Sequence, residues 1–133
     1  MRFILIAQKT NHMITNFEEI TKELNEKELE LIPFLVKGFQ AHQKTNPIKA
    51  PEIVKSMNIF LQQNGYKIKL SEPRLRKCCN YIRSHSILPL MATSDGYFVS
   101  FERESIESQI NSLLERSNSI KKCAEGLAVF IAP

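Results

Sequence analysis

The stretch SEPRLRKCCNYIRSHSILPLMATSDGYFVSF, Ser71 to Phe101, decides how this chain is read. Ser71 is a good helix N-cap and Pro73 suits a first turn, so a helix begins here. At about 100° per residue, Leu75, Cys78, Cys79 and Ile82 share one arc, which predicts the buried face. Lys77, Asn80, Tyr81 and Ser84 point the other way, flanked by Arg74, Arg76 and Arg83. The two cysteines read as small core residues, and His85 marks the end of the helix rather than a catalytic base. Beyond it, Leu90 to Thr93 and Tyr97 to Phe101 are short apolar runs joined by Ser94-Asp95-Gly96. Asp-Gly between such runs signals a β-hairpin.

Upstream, Arg2 to Gln8 predicts a short strand, and Thr15-Asn16 starts a helix that ends near Leu24. Asn25, with Glu28 three residues on, has the form of a capping box for a helix running from Glu26 to about Lys44. Its buried face is expected at Leu29, Ile32, Val36 and Phe39, widened by Leu31 and Leu35. Pro33 predicts a kink or a late start. Ala50-Pro51 opens a further helix with Ile53, Met57, Phe60 and Leu61 on its inner side, ended by Asn64-Gly65. Tyr66 to Leu70 alternates and suggests a brief extended segment. Downstream, a last helix runs from about Glu104 to Gly126. Ile106, Ile110, Leu113, Ser117, Ile120, Ala124 and Leu127 follow alternating steps of four and three, a heptad seam. Ile106, Ile110, Leu113 and Ile120 are its strongest members. The seam suits packing within the protomer or pairing with a second copy, and the apolar end LAVFIAP is expected to dock.

The 133 residues suit one domain with an appendage, with enough chain for a real core. The divisions expected are an N-terminal extension over 1–25, a domain over 26–102, and a helix with its apolar tail over 103–133. The net charge is +4, yet six cations and one carboxylate fall between Lys67 and His85, leaving the remainder slightly acidic. Such a stripe is the electrostatic footprint of a polyanion partner, or simply a solvated helix face. Three cysteines, two adjacent and none at metal-ligand spacing, argue against a disulfide framework or a zinc site and for a reducing compartment. The run from Phe3 to Ala7 is too short for a membrane span or signal peptide. A cytoplasmic location, microbial or in an infected host cell, follows as the expectation.

Two helices, a basic helix and a hairpin is the order of a winged helix. The fold expected is therefore mainly α with a small β-hairpin (α+β): a winged helix-turn-helix plus a long C-terminal helix. A helix of this width fits the major groove of duplex DNA, where base edges present a readable pattern. The DNA-binding candidates are Lys67, Lys69, Arg74, Arg76, Lys77, Asn80, Tyr81, Arg83 and Ser84. Thr93, Ser94 and Gly96 form the candidate wing, whose tip also carries Asp95, an unfavourable neighbour for phosphate.

From about residue 47 to 127 the chain resembles small winged-helix proteins encoded by phages and prophages. The resemblance rests on R-x-x-x-N-x-[LI]-R, matched by Arg76, Asn80, Ile82 and Arg83, and on I-x-P, matched by Ile87 and Pro89. It continues with [ST]-x-x-G-Y at Thr93, Gly96 and Tyr97, then L-x-x-R-x-x-S-I at Leu113, Arg116, Ser119 and Ile120. It implies a winged-helix fold and a role near phage replication or transcription control. The first 46 residues lie outside it.

Nothing points to an enzyme. Gly38, Gly65, Gly96 and Gly126 are too far apart for a phosphate loop, and no G-x-S-x-G, H-E-x-x-H or C-x-x-C occurs. His12, His42 and His85 are widely separated. Glu18-Glu19 and Glu102-Arg103-Glu104 read as helix-start acids. No catalytic residue, metal or cofactor is expected. The partner expected is double-stranded DNA, with no membrane; a second copy of the chain is the alternative to packing of the seam within the protomer. The rival is a phage-encoded module that binds a host or phage protein, for example to inhibit a defence nuclease.

Overall fold

The computed structural model describes residues 23–132. The strand expected over 2–8 and most of the helix expected from about 15 to 24 lie outside them. The chain divides into two compact units, one reaching Val99 and one starting at Ser100. The first holds α1 (Glu26–Leu29), α2 (Leu31–Phe39), α3 (Ala50–Gln63), α4 (Glu72–Ser84), β1 (Leu90–Thr93) and β2 (Gly96–Val99). The second holds α5 (Arg103–Ala128) and a 3-10 turn, Val129–Ile131. The mainly helical architecture with a small hairpin and a long C-terminal helix is the one expected.

The single helix expected from Glu26 to Lys44 is instead two, broken at Glu30 and ending at Phe39. Pro33 has no N–H to give the Leu29 carbonyl, so the helical ladder is interrupted there. The break re-aims the inner face. Leu31, Ile32, Leu35 and Phe39 are buried, whereas Leu29 is exposed and Val36 half-buried. In α3, Ile53 and Leu61 are buried as expected, but Phe60 is exposed and packs its ring 4.9 Å from that of Phe34.

Both following helices end in the same way. Tyr66 N–H donates to the Leu61 carbonyl and Gly65 N–H to that of Gln62, with Gly65 at φ +78. Ile87 N–H donates to the Ile82 carbonyl and Ser86 N–H to that of Arg83, with Ser86 at φ 54. These are Schellman closures, which satisfy the orphaned carbonyls of a last turn. The segment expected to be extended before α4 forms no strand. Leu70 is buried, and the Asn58 side chain serves both of its backbone groups, donating to its carbonyl at 2.9 Å and accepting from its N–H at 2.7 Å. A ladder partner is therefore unnecessary.

α4 buries Leu75, Cys78, Cys79 and Ile82 against α2 and α3, as its periodicity predicts. Burial pushes the thiols of Cys78 and Cys79 up to about 12, so neither is a ready nucleophile. The hairpin pairs Leu90 with Val99 and Thr93 with Gly96. Its second strand is shorter than expected, starting at Gly96 and ending at Val99, and Phe101 beyond it is exposed.

Outside glycine, only Ser86 among the described residues has a positive φ. Ser94 and Asp95 therefore turn with ordinary backbone, unlike the turn that usually favours Asp-Gly. The glycine is required for another reason. Ile48 and Tyr97 exchange N–H···O bonds of 2.9 and 2.8 Å, which adds the α2–α3 linker to the hairpin edge. A Cβ on Gly96 would lie 2.5 Å from the Ile48 carbonyl oxygen, at φ +127. Gly96→Ala should therefore lower the unfolding free energy by about 2–4 kcal/mol. A chemical-denaturation midpoint within error of wild type would refute this account of the turn.

Candidate nucleic-acid interface

The face of α4 turned away from the core is organised by a carboxylate from elsewhere in the chain. Glu28 is only 3% exposed. Its N–H donates to Asn25 Oδ1 at 2.8 Å, and its Oε1 accepts from Asn25 N–H at 3.1 Å, closing the expected capping box. The same carboxylate accepts from Lys77 Nζ at 2.7 Å and from Arg74 Nε at 2.9 Å. Arg74 also donates through its guanidinium to the Lys69 carbonyl. Burial pushes the Glu28 carboxyl up. The Lys77 bond, the Asn25 amide, the Arg74 bond and the Lys77 charge together outweigh it and hold the group below its usual range.

The nine side chains expected on the DNA face thus fall into different settings. Arg74 and Lys77 are committed to Glu28, and the Lys77 side chain is only 16% exposed. Arg83 is half-buried and donates from Nε to the Leu90 carbonyl at 2.9 Å, tying the last turn of α4 to β1. Tyr81 stacks on His85 with ring centroids 3.9 Å apart. Asn80, Ser84, Lys67 and Lys69 are exposed, and Arg76 is half-buried. Asn80 stands at the centre of the polar face.

The two edges of this face differ. On the α1 side lies a shallow depression of about 300 Å³ whose walls include Glu23, Leu24, Leu29, Asn80 and Tyr81. There the cations are compensated by Glu28. On the hairpin side, the charges of Arg76 and Arg83 are near enough to act on Tyr97. Burial pushes the Tyr97 hydroxyl up to about 12, against the pull of the two guanidinium groups. At the turn, Thr93 Oγ1 accepts from the Asp95 N–H, and Ser94 and Asp95 are exposed. Gly96 is half-buried against Ile48, so it shapes the hairpin instead of forming its tip.

Glu28 is the residue that sequence reasoning missed in this role. Its cap was legible from Asn25, three residues away. Its partners Arg74 and Lys77 lie 46 and 49 residues away and leave no local signature. Among the described residues no three His, Cys, Asp or Glu side chains come together to hold a metal ion, and no helix is long and apolar enough to cross a membrane. No protein-family model, curated protein or solved structure matches the chain.

The depressed carboxyl gives a pH prediction. Its stabilising contribution is complete above the unfolded value near 4.5 and fades as pH falls through the lower folded value. Glu28→Gln should cost about 2 kcal/mol of stability at neutral pH. The gap from wild type should then narrow in acid, below about pH 4.5. Denaturation curves showing a gap that stays constant into acid would contradict the ion-pair account.

Proposed function

We propose that the first unit binds duplex DNA, with the exposed face of α4 in the major groove and the hairpin beside it as the wing. The observation that carries the reading is the outward Asn80–Ser84 surface, with Arg76 on its hairpin side and Arg83 tied to the Leu90 carbonyl behind it. An asparagine can bond an adenine edge in paired fashion, and an arginine a guanine edge. Lys67 and Lys69, exposed on the segment leading into α4, suit phosphate contacts that fix position without reading sequence. The resemblance to phage winged-helix proteins fits a role in replication or transcription control in a cytoplasmic setting.

Glu28 modifies this reading. With Arg74 and Lys77 compensated, the cations left for phosphate are Lys67, Lys69 and Arg76. About three phosphate contacts imply a log–log salt slope near −3, or roughly a fortyfold loss of affinity between 50 and 200 mM salt. The same compensation favours, as the second reading, a protein partner recognised through the mixed polar face, such as a host nuclease held inactive.

Fluorescence anisotropy with a random-sequence duplex separates the two. The expected outcome is micromolar binding with that salt slope, lost in Lys69→Glu/Asn80→Glu, whose altered side chains are exposed and outside the Glu28 cluster. Absence of binding at low salt would overturn the DNA reading in favour of the protein partner.

A further inference from the structure

We propose that α5 is the interface between two copies of this chain, paired antiparallel about a twofold axis near Glu115. The helix has 26 residues and no buried side chain. Ile110, Leu113, Leu114, Ile120 and Leu127 are all exposed. A helix about 39 Å long whose seam is exposed from Ile110 onward, with only Ile106 half-buried, gains little from propensity alone. Its seam is a heptad repeat, the pattern that a partner helix covers.

The sizes along the seam choose the occupant and its direction. One set of positions is uniformly large: Ile106, Leu113, Ile120 and Leu127. The alternating set contains Ile110, Ser117 and Ala124. In a parallel pair each position meets its own copy, so serine would face serine and alanine would face alanine, leaving thin layers. In an antiparallel pair the two sets face each other. Leu113 then packs on the partner's Ser117, and Ile106 on the partner's Ala124, so large side chains fill the space beside small ones. A self-complementary stripe of this kind is met by a second copy through a twofold axis.

The charges beside the seam favour the same direction. Parallel pairing sets Glu102 against the partner's Glu107 and Arg116 against the partner's Lys121, with both clashes repeated by symmetry. The antiparallel register centred on Glu115 sets Glu107 against the partner's Lys121, twice. It also brings Leu114, which is 62% exposed, onto the partner's Leu114. One like-charge contact remains, Arg116 with the partner's Arg116, against two opposite-charge ones. Within its own helix Glu107 also pairs with Arg103, both side chains being exposed.

Sedimentation velocity on the full chain over a concentration series tests this. A dimer is expected, converted to monomer by Leu113→Asp. Lys121→Glu places a carboxylate against the partner's Glu107 and should raise the dimer dissociation constant roughly three- to tenfold at low salt. The double exchange Glu107→Lys/Lys121→Glu should restore it. A parallel pair would respond oppositely, since Lys121→Glu would relieve the clash with the partner's Arg116 and tighten the dimer. A monomer at every concentration, or tightening by Lys121→Glu, would overturn the proposal.

Discussion

The buried Glu28 carboxylate is the constraint to which much of the first unit answers. Taking a carboxylate out of water is costly unless donors replace the lost hydration. Here Asn25, Arg74 and Lys77 supply them, from the start of α1 and two successive turns of α4. One side chain thereby caps the first helix, neutralises part of the basic helix and fixes the two against each other. The arrangement also has a definite direction. Glu28 lacking its cations would be a buried charge, whereas Arg74 and Lys77 lacking Glu28 still reach solvent, with side chains 33% and 16% exposed. The pair therefore ties the position of α1 to α4 more strictly than the reverse.

This arrangement changes what a charge count means. Six cations between Lys67 and His85 look like one polyanion-binding stripe. In three dimensions the stripe divides. One edge of α4 spends its cations on an internal carboxylate, and the other carries guanidinium groups beside the hairpin. The candidate surface is narrower than the sequence suggests, and its centre is the neutral pair Asn80 and Ser84. A face of that composition offers hydrogen-bonding groups with only modest electrostatic attraction.

What was legible in the sequence was local. Ser71 as a cap, Pro51 and Pro73 in first turns, Gly65 at a helix end, the Asp-Gly hairpin and the inner arc of α4 each act within a turn or two of chain. Their physics is complete at that range. The missed features join distant segments. Asn58 serves the backbone of Leu70, Ile48 bridges Tyr97, and Glu28 reaches Arg74 and Lys77. A lone asparagine or glutamate on a helix carries no sign of which buried group it will meet. Pro33 was a visible breaker, yet where the helix breaks, at Glu30, and that Leu29 is left exposed, depend on how α2 meets the rest of the core.

α5 shows the complementary limit. Its heptad seam was plain, but an apolar stripe reads alike whether it faces its own domain or another chain. The apolar end likewise carries Phe130, which is 85% exposed. The two surfaces proposed for this chain are also opposite in chemistry. The α4 face is polar and cationic, so its contacts weaken as counterions accumulate. The α5 seam is apolar, and salts excluded from protein surfaces strengthen such burial. An excluded salt such as sulfate should therefore weaken the α4 contacts while favouring burial of the seam, so association through one need not be mistaken for association through the other.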